Sequence, residues 1–174
     1  MKLSSKNIII RALEPADLNF LFNTENNTSL WEVSNTQTPF SRHILKQYLA
    51  NAHQDIYEAK QLRLIIETKN KAIGMVDFFN FEPQHKRAGI GIVINHKYQQ
   101  KGFANEALKI CINYAFSILN LHQIYANIAS DNLKSIALFT KNNFKKIGIK
   151  KEWLFSNNTY KDEILYQLIN KRNN

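Results

Sequence analysis

Residues 99–105 read QQKGFAN: two amides, a lysine and a single glycine, directly ahead of residues that begin an amphipathic helix. These types in this order suit an anion. A helix start presents unpaired backbone N–H groups and about half a unit of positive charge, and phosphates bind there without help from side chains. Gly102 removes the side chain that would hold a ligand off the backbone, and Ala104 is small to the same effect. Lys101 adds a mobile cation. A pyrophosphate is the natural ligand. The same residues also fit a helix behind an ordinary polar turn, and neither GxxxxGK[ST] nor GxGxxG occurs in the chain. The surrounding elements therefore have to decide.

Positioning such a loop takes a strand before it and a helix after it. Residues 88–95, AGIGIVIN, alternate as a strand with Ile90, Ile92 and Ile94 on one face. The helix after Gly102 sets Ala104, Ala107, Leu108, Cys111, Ala115 and Ile118 on one side. Residues 122–129, HQIYANIA, form a further strand, and the helical connection predicts that it pairs parallel to 88–95. A helix over 131–142 follows, capped by Asp131, then two strands near 144–155 and 160–169 around the turn SNNT. Upstream, residues 6–13 read as a strand. Pro15 and the acids Glu14 and Asp17 suit a helix start. Residues 23–40 are polar and irregular, anchored by Trp31 and Phe40; a second helix covers 41–59; strands 62–67 and 72–79 are joined by TKNK. The fold class is α/β: a single domain over residues 1–174, with a mixed, largely antiparallel sheet, one parallel strand pair and helices on both faces. The tail NKRNN is expected to fray.

The balance of charge narrows the partners. Twenty-three basic and 14 acidic side chains give a net charge of +9, which attracts anions and disfavours cationic substrates at long range. No nucleic-acid recognition motif with interleaved aromatics accompanies it, so nucleic acid is not the expected partner. No apolar run is long enough to span a membrane. The lone Cys111 cannot close an internal disulfide, which fits a reducing, cytoplasmic setting. It sits on the apolar side of its helix and reads as core. Five histidines without ligand spacing point to no metal.

With its context, Gln99-Gln100-Lys101-Gly102-Phe103-Ala104 resembles the Q/R-x-x-G-x-G/A signature of the GNAT acyltransferases. The stretch from Tyr98 through SDNLKSIALFTKNNF looks like the cofactor-binding half of the spermidine and ribosomal-protein N-acetyltransferase branches, and NNTYKDEILYQLI looks like their closing strands. The resemblance spans nearly the whole chain. It implies a sheet whose parallel pair splays at the cofactor, and acetyl-CoA as co-substrate. It implies that the backbone of Ile92, Val93 and Ile94 pairs with the pantetheine arm as an added strand would. Gln99, Gln100, Lys101, Gly102, Phe103, Ala104 and Asn105 would cradle the pyrophosphate, while Asn132, Ser135 and Phe139 would face the cofactor from the next helix.

Acetyl transfer to an amine needs a neutral amine, a donor for the carbonyl oxygen as it gains charge, and a way for the thiolate to leave. The donor can be a backbone N–H at Val93 or its neighbour. Asp77, Glu82 and His85 are candidates for the base, and the imidazole of His85 is chemically apt. Many relatives carry a tyrosine as acid in N-x-x-[SA]-x-x-x-Y-x-K-x-G-F; here Phe139 stands at that place and Asn143 replaces the glycine. Phenylalanine donates no proton, leaving water, another side chain such as Tyr160, or unassisted departure of a thiol with an ordinary pKa near 8.5. Asn143 tolerates a left-handed backbone in place of glycine. Gly89 stands where many relatives carry a glutamate. The loop 31–42 holds Glu32 as its one acid, which with the basic balance argues for a protein N-terminus, an amino-sugar or another small amine as acceptor, against a polyamine. A non-catalytic acetyl-CoA-binding module is the reading from a different class. Self-association is compatible with all of these.

Overall fold

In the computed structural model, which describes residues 3–34 and 36–171, seven strands form one sheet. They are β1 (Ile9–Arg11), β2 (Leu62–Thr68), β3 (Lys71–Glu82), β4 (Arg87–Ile94), β5 (Gln123–Ala129), β6 (Lys145–Ser156) and β7 (Thr159–Ile169). Their order is β1-β2-β3-β4-β5-β7-β6. All neighbours are antiparallel except β4 and β5, as the helical crossover requires. The helices are α1 (Leu18–Glu25), α2 (Thr28–Ser34), α3 (Arg42–Ala50), α4 (Ile56–Ala59), α5 (Phe103–Ser117) and α6 (Leu133–Lys141). Two hairpins turn on residues that accept a positive φ: Lys69 and Asn70 (48° and 59°) between β2 and β3, Asn157 and Asn158 (51° and 58°) between β6 and β7. Asn143 is left-handed, at φ 67°, in the place of the usual glycine.

Several local expectations change. The first strand is shorter than 6–13. The stretch 23–40 contains α2, started by the Asn27 side chain, which accepts from the Ser29 N–H. The helix expected over 41–59 is two: α3 stops at Ala50, and Asp55 caps α4 by accepting from the Tyr57 and Glu58 N–H groups. The cap of α6 is Asn132, which accepts from Ser135 N–H at 3.1 Å, and not Asp131, which faces Lys161. Ile118 lies beyond the last turn of α5 and is exposed, while Ala107, Leu108, Cys111 and Ala115 are buried. Of the tail, residues 172–174 lie outside the described residues.

The strand period sorts side chains onto two faces. Ile90 and Ile94 point to the larger core, shared with α5 and α6 through Leu108, Cys111 and Phe139. On the other face α1 and α3 pack Leu21 and Leu45 against Ile65 and Met75. Among the described residues no helix is long and apolar enough to cross a membrane.

Candidate active site

The parallel pair parts early. Arg87, Ala88 and Gly89 pair with Gln123, Ile124 and Tyr125; beyond Gly89, β4 keeps β3 as its partner and β5 keeps β7. Half of β4 thus turns one backbone edge to an open gap. The ladder decides which groups face it. Asn95 N–H donates to the Ile73 carbonyl (2.8 Å), so the opposed pair Val93 and Met75, two residues back, also points its bonds inward between β3 and β4. The N–H and C=O groups of Ile92 and Ile94 consequently point into the gap. The Ile94 carbonyl accepts from the Gln99 side chain at 3.0 Å. Val93, the expected donor, turns its own backbone groups toward β3 and its side chain toward the face of α1 and α3; the alternate neighbours present the gap-facing donors.

The loop after β4 leads into α5 through Gly102, whose φ is +84° and whose missing Cβ would meet nothing within 4 Å. The first bond inside α5 runs from Glu106 N to the Gly102 carbonyl (3.1 Å). The N–H groups of Phe103, Ala104 and Asn105 precede it and are the orphan donors of the helix start. A cavity of about 500 Å³ opens over this start and the gap. Of the residues expected at the cofactor, Ile92, Val93, Ile94, Gln99, Gln100, Gly102, Phe103, Ala104, Asn105, Asn132 and Ser135 line it.

Two expected residues stand off the wall. The Lys101 ammonium donates to the Lys97 carbonyl (2.9 Å) and lies over the Tyr98 ring, so it serves its own loop. The wall's cations are Lys134 and Lys141 of α6, which the sequence reading passed over. They were findable, since both flank the Asn132–Ser135 stripe on the same helix. Phe139 lies one turn beyond Ser135 on that stripe, buried edge-on against Phe144 with centroids 4.9 Å apart, and is not among the residues lining the cavity. Asn142, also buried, donates to Asn105 at 3.0 Å and ties the end of α6 to the start of α5. Leu30 and Val33 of α2 complete the wall. They were missed because α2 was read as irregular.

The candidate bases separate. His85 sits in the exposed β3–β4 turn, at the closed end of the strand pair. From Arg87 to Val93 alone is roughly 20 Å of strand, so His85 does not reach the gap. Glu82 is at the same end, paired with Arg87 at 2.9 Å. Asp77 stands opposite Gly91, on the face of Val93 and Met75. Both its oxygens accept from Arg63, at 2.6 and 3.2 Å, and Arg63 also donates to Glu25. Burial opposes the Arg63 charge, but Asp77 and Glu25 outweigh it and hold the guanidinium protonated. At Gly89, where relatives carry a glutamate, a Cβ would run into the Phe79 ring; that ring packs edge-on to Tyr125 at 6.0 Å and fills the position. Tyr160 is exposed at the β6–β7 tip against Phe155. Cys111 is fully buried, and desolvation pushes its thiol up to about 12, as suits core packing.

The face of α1 and α3 also gathers carboxylates from distant parts of the chain. Glu163 of β7 pairs with Lys150 at 2.6 Å. Glu32 of α2 and Asp131 share the Lys161 ammonium, at 2.5 and 2.6 Å.

A helix start free of side chains, gap-facing strand donors and two wall cations fit a phosphorylated cofactor with an amide-containing arm. The comparisons agree. The acetyltransferase (GNAT) domain matches residues 7–145. A spermidine N(1)-acetyltransferase of Vibrio cholerae is 32% identical over 156 residues, 89% of this chain and 88% of that protein. One of Escherichia coli K12 is 28% identical over 161 residues, 92% of this chain and 85% of that protein. The crystal structure of the Vibrio cholerae spermidine N-acetyltransferase in complex with CoA and spermine superposes with a TM-score of 0.86 at 29% identity, covering 95% of this chain and 96% of that one. The chain therefore belongs to the GNAT family, as an acetyl-CoA-dependent enzyme that transfers an acetyl group to an amine.

Proposed function

We propose that the acceptor is a polyamine of the spermidine class, acetylated on a primary amine by direct attack on the thioester. The observation that carries this is the likeness, along nine-tenths of the chain, to proteins named for spermidine, one of them solved with CoA and spermine. It reverses the expectation drawn from the acid-poor loop 31–42. That expectation counted only acids adjacent in sequence, whereas the fold brings Asp131 to Glu32 through Lys161, and Glu25 to Asp77 through Arg63.

Acetyl-CoA supplies an activated acyl group. The chain's own part is binding, orientation and charge. The N–H groups of Phe103, Ala104 and Asn105, with Lys134 and Lys141, hold the phosphates. Ile92 and Ile94 offer N–H donors in the gap, where one of them meets the carbonyl oxygen as charge develops. Asp77, opposite Gly91, orients the incoming amine by its charge and accepts its proton through water. Phe139 offers no proton, so the sulfur leaves without the general acid that contributes about 10²–10⁴-fold elsewhere. Self-association is part of the proposal: one structural neighbour is a dodecameric spermidine N-acetyltransferase, and the edge strand β6 here exposes Ile147, Trp153 and Phe155.

Free-thiol release with spermidine, spermine, a simple monoamine and a panel of peptide N-termini tests the acceptor. The expected order by kcat/KM puts the polyamines first. A preference for peptides overturns the polyamine reading, and binding of acetyl-CoA without turnover on any amine would return the non-catalytic module.

A further inference from the structure

Among the described residues, α2 is the helix with no buried side chain, yet Leu30 and Val33 belong to the wall of the cofactor cavity. Hydrophobic burial therefore does little to hold it, and its place depends on polar ties. Toward α1, the Trp31 indole donates to the Glu25 carbonyl at 2.7 Å. Toward the far half of the sheet the tie is Glu32, which accepts from Lys161 at 2.5 Å and from the Ser156 hydroxyl at 3.0 Å. The Lys161 ammonium also lies 2.6 Å from Asp131. Each acid adjoins the wall in sequence: Glu32 precedes Val33, and Asp131 precedes Asn132. The Lys161 side chain is the most shielded of the three, 19% exposed against 35% for Glu32 and 56% for Asp131.

We propose that Lys161 is a positioning residue for acetyl-CoA: its ammonium clasps Glu32 and Asp131 across the mouth of the cavity and holds α2, with Leu30 and Val33, against the cofactor arm. The clasp rests on acetyl-CoA occupying this cavity and not on the identity of the acceptor. It explains why a helix without a buried anchor forms part of a binding wall. It also places a salt-sensitive tie beside the cavity, since partly exposed ion pairs weaken as salt rises.

The test must separate a clasp from plain attraction between a lysine and a polyanionic ligand. Glu32→Gln does so by sign. Removing a carboxylate favours an anionic cofactor if only long-range charge matters, whereas loss of the clasp weakens binding. Titration calorimetry of the full chain with acetyl-CoA is expected to give a Kd about three- to fivefold higher for Glu32→Gln and for Lys161→Met at about 0.1 M salt. The double variant should be no weaker than the worse single one. Lys161→Arg should retain binding, and the variants should converge on the native protein at about 1 M salt. Melting temperature without ligand should change little. An unchanged or lower Kd for Glu32→Gln, additive losses, or a loss that persists at high salt would each overturn the clasp. Should Lys161→Met fail to fold, Glu32→Gln against Lys161→Arg carries the same sign test.

Discussion

Two walls of the molecule are built from different materials. The wall made by β4, the loop and the start of α5 works through the backbone: gap-facing groups of Ile92 and Ile94, and N–H groups beyond a left-handed Gly102. Its geometry is held from behind by the dry core around Leu108 and Cys111. On the other side of the sheet, away from the cavity lining, side chains work through paired charges: Glu25–Arg63–Asp77 and Glu32–Lys161–Asp131. A backbone wall is indifferent to most side-chain changes and intolerant of a few. A wall of ion pairs responds to each charge, to salt and to pH.

Four changes sharpen or break this contrast. The largest effect is expected at Arg63. Arg63→Met leaves two largely shielded carboxylates unpaired and should cost about 3–5 kcal/mol, seen as a fall in melting temperature on the order of 10 °C. If the walls are independent, the surviving fold binds acetyl-CoA with its native Kd, and a parallel loss of cofactor affinity would break the contrast.

The corresponding blow to the backbone wall is Gly102→Glu, which sets bulk and negative charge at the proposed phosphate site. Acetyl-CoA at about 100 times its Kd should stabilise the native chain by about 2.7 kcal/mol, whereas the variant should show no ligand-induced rise. No neighbour clashes with a side chain there, so the variant should fold despite its strained φ. An equal rise in melting temperature in both proteins would move the phosphate site elsewhere.

Phe139→Tyr tests the acid that the proposed mechanism lacks. If the added hydroxyl reaches the departing sulfur, kcat should rise by about tenfold, below the full range for general acids. A fall in stability of about 1–3 kcal/mol with unchanged kcat would mean instead that the oxygen is buried unpaired.

The smallest effect is alkaline. Because burial raises the Cys111 thiol toward 12, the unfolded chain releases a proton near its ordinary pKa that the folded chain keeps. Stability should therefore fall as pH rises above about 9, by no more than about 1.4 kcal/mol per pH unit. Below that pH both states hold the proton and the slope vanishes. The difference in melting temperature between the native chain and Cys111→Ala across this range isolates the thiol, and parallel curves would count against its burial.

Gly102, Gln99, Asn132 and Ser135 were legible because each acts near its own place in the chain, where a helix start, a turn or a cap needs a particular residue type. The hairpin turns and the left-handed Asn143 were legible for the same reason. His85 looked apt as a base because its chemistry is intrinsic to the imidazole, but only the register shows it at the closed end of β4. Val93 and Ile92 are equivalent as letters; the ladder bond from Asn95 to Ile73 decides which turns its N–H to the gap. Lys101 is a mobile cation in the sequence and a loop brace in the fold.

The sequence by itself determined what depends on neighbours a few residues away: strand and helix periods, the glycine-led helix start, and through its motif the family and the cofactor. Only the tertiary structure decided what depends on meeting across the chain. Lys161 reaches Glu32 from 129 residues away and Arg63 reaches Glu25 from 38, so these paired acids came into view only once the sheet was assembled. Local preferences are set by steric and hydrogen-bonding rules that act within a turn or a strand. Charges, by contrast, interact through space, and their partners follow from strand order and register, not from position in the sequence.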